Sequence, residues 1–276
     1  MKPETQAIGI LDSGVGGLTV VREVMRQLPS EPIVYFGDTA HCPYGPRPAE
    51  EIRRFTADIV NFLTSTFSLK ALVIACNTAT AVAFEKVRRS VNIPVVGVID
   101  PGARAAIKVS KYGRIGVIGT EGTIQSGAYE RALHRINPEV RIVSLACPSF
   151  VPIVESGKAE ADETLPLVRQ ALLPLQKHSL DALILGCTHY PLLTKHIART
   201  MGHKVELLNS AKETARELSS ILSENDILTS PVHERLEPPH HTFFTSGSPE
   251  MFRQIAARWL GMLVNVKSVH LQKVSF

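Results

Sequence analysis

Two of the four cysteines, Cys76 and Cys187, each end a short apolar run of the kind that forms a buried strand. A cysteine side chain has an ordinary pKa of about 8.5, so both thiol and thiolate are accessible near neutral pH. Two such groups on opposite sides of a ligand could remove a proton from one face of a carbon and deliver one to the other face. The remaining cysteines, Cys42 and Cys147, lack a comparable pairing, and we interpret them as packing residues.

The apolar runs before these two cysteines are alike. Residues 68–76 and 179–187 share serine, leucine, alanine, leucine and cysteine at matching positions. Residues 8–13 resemble residues 115–120 in the same order along the chain, at a nearly equal offset. One such match could arise by chance, but two in the same order along the chain indicate a duplicated unit.

The whole chain alternates strand-like apolar runs with amphipathic helices. The predicted strands are residues 7–11, 33–36, 69–75, 93–99, 114–119, 140–146, 180–185, 207–208 and 242–245. Helical spacing follows most of them, for example at residues 18–28 and 126–135. This alternation is typical of an α/β protein with mainly parallel sheets. With the duplication, it predicts one α/β domain at 1–98 plus 211–276 that carries Cys76, and a second at 99–210 that carries Cys187.

Polar side chains gather at the predicted carboxyl ends of the strands, where ligands bind in open α/β sheets. They are Asp12, Ser13, Asn77, Thr78, Thr120, Thr188 and His189. If the two domains face each other, these strand ends line one cleft and the two thiols approach a ligand from opposite sides. Asp12 could then tune the acidity of Cys76, and His189 that of Cys187.

Two chemically equal proton carriers suit racemisation, because inversion requires interchangeable acid and base. The α-carbon beside a carboxylate is weakly acidic, so donors must stabilise the charge that develops there. Ser13, Asn77, Thr78, Thr188 and the backbone N–H groups at helix starts could supply them. No lysine occupies a comparable strand end, and the sequence has no pyridoxal signature. We therefore expect no cofactor.

The composition of the 276 residues excludes several other classes of protein. The net charge is +4 and the basic residues are scattered, which disfavours nucleic-acid binding. No apolar stretch approaches the length of about 18 residues that spans a bilayer, and residues 1–6 lack the apolar core of a signal peptide. A cytoplasmic location with reduced thiols is therefore expected. Because the sequence has no Cys-x-x-Cys pair, we expect no metal site.

Four motifs follow one another in order along the chain. They are GILDSGVGGL at residues 9–18, FGDTAHCPYG at 36–45, ACNTAT at 75–80 and GCTHYP at 186–191. With these motifs the sequence resembles the bacterial glutamate racemases of the cofactor-independent aspartate/glutamate racemase superfamily. The resemblance covers nearly the whole chain. It implies two Rossmann-like domains, related by a pseudo-twofold axis, with the active site in the cleft between them.

The resemblance also implies roles for individual residues. Cys76 would act on the D-enantiomer and Cys187 on the L-enantiomer, with Asp12, His189 and Glu155 as further catalytic residues. The implied substrate contacts are Asp12, Ser13, Tyr44, Gly45, Asn77, Thr78, Thr120, Thr123, Thr188 and His189. The implied biology is a homodimer that supplies D-glutamate for peptidoglycan, in a family in which some members respond to a cell-wall precursor. Asn209 departs from the pattern, because the family usually has aspartate there.

Simpler interpretations of the same residues remain open. Asp12 could cap the following helix, and His189 could be a buried histidine with satisfied hydrogen bonds. Tyr44 could be loop packing, and Glu155 a surface residue. The glycine-rich turn at residues 14–17 lacks the third glycine of a dinucleotide fingerprint, so its amides could hold a carboxylate instead.

Two other functions also remain open at this point. The substrate could be aspartate or a hydantoin, since pocket size is not visible in the sequence. The chain could also be a non-catalytic two-domain protein that binds an acidic small molecule.

Overall fold

The computed structural model describes residues 6–231 and 238–271. The strands are β1 (Ala7–Asp12), β2 (Ile33–Gly37), β3 (Leu69–Ile74), β4 (Val95–Gly97), β5 (Arg114–Gly119), β6 (Arg141–Ala146), β7 (Ala182–Gly186), β8 (Glu206–Asn209), β9 (Thr242–Thr245) and β10 (Val266–Ser268). They form two wholly parallel sheets within the described ranges, with the orders β10-β9-β2-β1-β3-β4 and β6-β5-β7-β8. The predicted α/β class with parallel sheets is confirmed.

Helices connect the strands, as parallel pairing requires. They are α1 (Leu18–Gln27), α2 (Ala49–Thr66), α3 (Asn77–Ser90), α4 (Ile99–Val109), α5 (Glu121–Gln125), α6 (Ala128–Ile136), α7 (Phe150–Glu155), α8 (Thr164–Leu172), α9 (Thr194–Met201), α10 (Ser210–Glu224) and α11 (Pro249–Leu260). Short 3-10 helices cover Leu173–Lys177 and Tyr190–Leu193. Helix α10 packs against both α1 and α4 and so joins the two halves. None of the helices in the described ranges combines the length and the apolar character that a membrane span needs.

The two sheets repeat the same local topology. The order β2-β1-β3-β4 corresponds to β6-β5-β7-β8, so β3 before Cys76 is the counterpart of β7 before Cys187. The register agrees as well, because Ile8 pairs with Ala71 as Ile115 pairs with Ala182. This topology confirms the duplication that the sequence matches indicate. The first sheet takes strands from residues 7–97 and 242–268, whereas the second uses residues 114–209; the exact domain boundaries stay a prediction.

A glycine in each central strand packs against leucines at equivalent positions. A Cβ atom on Gly9 would lie 2.8 Å from the Leu69 side chain, and one on Gly116 would lie 2.7 Å from the Leu180 side chain. Because real Cβ atoms do not approach this closely, both positions favour glycine for the same packing reason.

The structure differs from the predicted elements at three places. The fourth strand covers only Val95–Gly97, because the backbone is already helical at Val98 and α4 begins at the next residue. The helix predicted at residues 126–135 is α6, but the turn predicted before it holds a further short helix, α5, which is separated from α6 by Gly127 with a φ of 62°. The edge strand β10 was not predicted, since it is short and two of its three residues are exposed.

The hydrophobic core covers both faces of each sheet. In β1, Ile8 and Ile10 pack on one face while Leu11 packs on the other, together with Leu72 and Ile74 of β3. The central strands β1, β3, β5 and β7 are buried almost throughout. The residues that follow their carboxyl ends are therefore attached to rigid supports.

Candidate active site

The carboxyl ends of the two sheets enclose one small cavity. Its lining residues are Ser13, Cys42, Pro43, Tyr44, Gly45, Cys76, Asn77, Thr78, Thr120, Val151, Cys187, Thr188 and His189. Both strand-end cysteines thus face the same space from different sheets. The cavity volume is about 20 Å³, which is room for about one water molecule. A larger ligand does not fit unless the residues that line the cavity move apart.

Cys76 lies at the start of α3, where its sulfur accepts a hydrogen bond from the Ala79 amide at 3.4 Å. The side chain is 5% exposed. Burial and the nearby Asp12 carboxylate raise the pKa of Cys76 to about 12, against hydrogen bonds from Ser13 and the Ala79 amide. Cys76 is therefore a neutral thiol, and so a proton donor, over the ordinary pH range.

Asp12 is fully buried beside Cys76, at the end of β1. Its Oδ2 accepts hydrogen bonds from the amides of Gly14, at 3.1 Å, and Gly17, at 3.0 Å. Its Oδ1 has no hydrogen-bond partner among the described residues. The amides of the glycine-rich turn thus hold the chain's own carboxylate, and the Gly17 contact lies at the start of α1. Asp12 therefore contributes to a helix start, as the simpler interpretation has it.

Cys187 has a different neighbour. Its sulfur lies 3.9 Å from Nδ1 of His189, and Nε2 of His189 lies 3.2 Å from Oε1 of Glu155. Burial disfavours a charged imidazole, but the hydrogen bonds to Cys187 and Glu155, together with the negative charges of Cys187 and Asp12, raise the pKa of His189 to about 10. Its hydrogen bond to His189 in turn lowers the pKa of Glu155. The Cys187 sulfur thus has a positively charged neighbour, which would stabilise negative charge that develops on it.

The remaining wall of the cavity is rich in hydrogen-bonding groups. The hydroxyl groups of Thr78, Thr120 and Thr123 lie within 3.2 Å of one another and span the two halves. Asn77 accepts a hydrogen bond from the Tyr129 hydroxyl at 2.7 Å, while its buried Nδ2 has no partner among the described residues. A buried donor without a partner is costly unless a ligand accepts its hydrogen bond. These groups could hold a carboxylate.

The loop after β2 closes the cavity from the side of the first sheet. Tyr44 is buried and donates a hydrogen bond to Asp38 at 2.6 Å, and Gly45 O accepts one from the Gly122 amide of α5. Cys42 also lies in the cavity wall, with its sulfur 3.5 Å from Glu155 Oε1. Cys42 does pack, as interpreted, since its sulfur lies over Gly14, but it also lines the cavity. Cys147 lies in the core, as expected.

Three predicted site residues do not line the cavity but support residues that do. Asp12 holds the turn before α1, Thr123 contacts Thr78 and Thr120, and Glu155 contacts His189. The Glu155 side chain is 39% exposed, so it is a surface residue that also contacts the site. Sequence reasoning missed the cavity contacts of Cys42, Pro43 and Val151; the only signal was the position of the first two inside the motif at residues 36–45.

Asn209, the departure from the family pattern, lies away from the cavity lining. It caps α10, and its Oδ1 accepts a hydrogen bond from the Ala211 amide at 2.9 Å. Aspartate and asparagine are both good helix caps. Among the described residues, no three histidine, cysteine or acidic side chains converge in the arrangement of metal ligands.

Gly16 permits the close approach of the first turn to the second sheet. A Cβ atom there would lie 2.3 Å from Thr188 Oγ1 and 2.5 Å from His189 Nδ1. We expect Gly16→Ala to lower the free energy of unfolding by about 1–3 kcal/mol, the usual cost of overpacking. Urea denaturation measures this change.

Gly102→Ala in α4 is the matched control for Gly16→Ala. The nearest contact of a Cβ atom at Gly102 would be 3.4 Å, an ordinary van der Waals distance. We expect this variant to be as stable as the wild type or more so, because alanine favours helix. A Gly16→Ala protein with wild-type stability would show that the turn does not need to approach His189 this closely.

Comparison with known proteins agrees with this geometry. Residues 8–218 match the model of the Asp/Glu/Hydantoin racemase family. A glutamate racemase of Bacillus cereus is 51% identical over 269 residues, which is 97% of this chain and 98% of the relative.

Two solved structures are similar over almost their full length. The glutamate racemase isoform RacE1 from Bacillus anthracis has a TM-score of 0.93 at 51% identity, covering 97% of this chain and 98% of its own. The glutamate racemase from Francisella tularensis, solved in complex with D-glutamate, has a TM-score of 0.90 at 34% identity, covering 98% of this chain and 100% of its own.

Proposed function

Because the chain belongs to the Asp/Glu/hydantoin racemase family, we propose that it interconverts L-glutamate and D-glutamate without a cofactor, with Cys76 and Cys187 as opposed proton carriers. The observation that carries this proposal is the shared cavity, in which two cysteines from equivalent strand ends of different sheets face the same space. Each cysteine has its own charged partner, Asp12 for Cys76 and His189 for Cys187.

The charges around the two sulfurs favour one starting state. In the proposed starting state for L-glutamate, the Cys187 sulfur is negatively charged beside the His189 imidazolium, whereas burial and Asp12 keep Cys76 a neutral thiol. With L-glutamate bound, the Cys187 thiolate takes the α-proton, and the electron pair of the broken C–H bond remains as a carbanion conjugated with the carboxylate. The carbanion then takes the thiol proton of Cys76 on the opposite face, which forms D-glutamate and leaves Cys76 as the thiolate.

The product state has the protonation of the two sulfurs exchanged. It is the starting state for D-glutamate, so the same residues catalyse the reverse reaction. Before another L-glutamate can react, Cys187 must lose its proton and Cys76 must gain one from solvent. Both exchanges require an open cleft, as does substrate entry into a cavity of about 20 Å³.

The substrate carboxylates are assigned to the donors around the cavity. Asn77 Nδ2, which lacks a partner among the described residues, and the hydroxyl groups of Thr78 and Thr120 are suitable. Ser13, Tyr44, Gly45, Thr123 and Thr188 complete the proposed contacts. The biological role that follows is supply of D-glutamate for peptidoglycan, by a cytoplasmic homodimer.

Racemisation of L-glutamate by the purified protein, without added cofactor, tests this function through the loss of optical rotation. We expect turnover of L-glutamate to exceed that of L-aspartate by at least about tenfold, because a site shaped for the longer side chain loses contacts with the shorter one. Preferred turnover of aspartate would reassign the substrate within the family. Binding of glutamate with neither loss of rotation nor α-proton exchange would instead identify a binding protein.

A further inference from the structure

Cys42 lies at one end of a chain of polar contacts that crosses the cleft. Its sulfur is 3.5 Å from Glu155 Oε1, and the same oxygen is 3.2 Å from Nε2 of His189. Nδ1 of His189 is in turn 3.9 Å from the sulfur of Cys187. Cys42 belongs to the loop after β2 of the first sheet, whereas the other three residues accompany the second sheet. The contact between Cys42 and Glu155 therefore joins the two walls of the cavity.

The same sulfur also rests on the turn that holds Asp12. A Cβ atom at Gly14 would lie 3.1 Å from Cys42 Sγ, so the sulfur packs directly over that glycine. The Gly14 amide donates a hydrogen bond to Asp12. Cys42 thus contacts the supports of both proton carriers, yet neither the proposed mechanism nor the repeat assigns it a role.

We propose that Cys42 is a positioning residue, whose thiol holds the Glu155 carboxylate against His189 and so keeps the imidazole beside Cys187. This role rests on the proposed two-thiol function. Glu155 needs such a restraint, because its side chain is 39% exposed while that of His189 is 3% exposed. Without a donor at Cys42, the carboxylate can turn towards water, and water screens its attraction for the imidazolium.

The environment of His189 predicts the direction of the effect. The titratable groups that act on it are Cys187 through a hydrogen bond and its charge, Glu155 through a hydrogen bond, and Asp12 through its charge. Trp259 of α11 adds an uncharged edge contact at 6.1 Å between ring centroids. Weaker contact with Glu155 removes one of the groups that stabilise the imidazolium, so the pKa of His189 should fall from about 10 towards its ordinary value.

NMR titration of the histidine rings tests this directly and does not depend on turnover. The His189 signal is identified by its absence in His189→Gln. We expect the pKa of His189 to be lower in Cys42→Ala than in the wild type, and Cys42→Ser to recover most of the difference, because a hydroxyl can also donate to Glu155. Cys147→Ala is the control for loss of a thiol elsewhere, and it should leave the titration unchanged.

Steady-state kinetics give the second readout. Cys42→Ala should lower kcat/KM about fivefold, in keeping with the loss of one modest hydrogen bond, and Cys42→Ser should stay within about twofold of the wild type. An unchanged His189 titration in Cys42→Ala, or a Cys42→Ser variant as impaired as Cys42→Ala, would overturn the positioning role. A wild type that does not racemise glutamate would instead refute the proposed function, and the NMR titration would still decide the role of Cys42.

Discussion

Replacement of either strand-end cysteine by serine is expected to lower kcat/KM for glutamate racemisation by about 10³-fold or more. A positioned acid or base contributes about 10²–10⁴-fold, and a serine hydroxyl is a far poorer base than a thiolate. Because the two enantiomers have equal free energy, kcat/KM must fall equally in both directions for each variant. The measurement is initial rates of racemisation from L-glutamate and from D-glutamate.

Proton exchange should separate the two variants where the rates of racemisation cannot. Over prolonged incubation in D2O, at rates limited by opening of the cleft, Cys76→Ser should exchange the α-proton of L-glutamate faster than that of D-glutamate, and Cys187→Ser should show the reverse preference. Cys147→Ala is the matched control, since Cys147 lies in the core outside the cavity lining. More than about a tenth of wild-type racemisation in either serine variant would contradict the two-thiol assignment.

Replacement of His189 by glutamine is expected to lower kcat/KM by about 100-fold. Glutamine can form hydrogen bonds to Glu155, but it cannot carry the positive charge that would stabilise the negatively charged Cys187 sulfur of the proposed mechanism. The charge lost lies 3.9 Å from the sulfur in a buried site, where electrostatic interactions are weakly screened. Activity within about threefold of the wild type would show that the imidazolium does not activate Cys187.

The pH dependence follows from the same charge. The pKa of His189 is raised to about 10, so the imidazolium persists up to that pH and is lost above it. Wild-type kcat/KM should therefore fall as pH rises through about 10, and the fall should be smaller in His189→Gln, in which deprotonation of the α-ammonium group of the substrate still contributes.

The contribution of His189 to stability should fall as pH rises, as its contribution to activity does. Since the folded protein binds the His189 proton more tightly than the unfolded chain, the stability from this group is fully present below about pH 6.5 and is lost as pH rises through about 10. Denaturation of the wild type and of His189→Gln at pH 7 and pH 10.5 measures this difference.

The sequence was most informative where a local pattern determines a local structure. The apolar runs before Cys76 and Cys187 predicted two buried strands, and the pairing of Ile8 with Ala71 and of Ile115 with Ala182 repeats the order of the sequence matches. Placement at the carboxyl end of a parallel strand is enough to bring a side chain to the ligand-binding edge of a sheet.

Contacts that depend on how the two sheets face each other could not be predicted. Cys42 has no periodic context, so its contact with Glu155, 113 residues further along the chain, depends on tertiary packing. The cavity volume depends in the same way on the separation of the two halves. Asn209 is a departure from the family motif that the structure explains locally, as a helix cap.

The most direct test of the two-thiol mechanism follows the wild-type reaction from L-glutamate in D2O, with the enantiomers separated at low conversion. Opposed thiols predict that the D-glutamate formed carries deuterium at the α-carbon, because Cys76 delivers a proton that has exchanged with solvent, while the recovered L-glutamate remains protonated there. D-glutamate that retains the original α-proton would contradict the mechanism, because a single group would then have removed and returned the same proton.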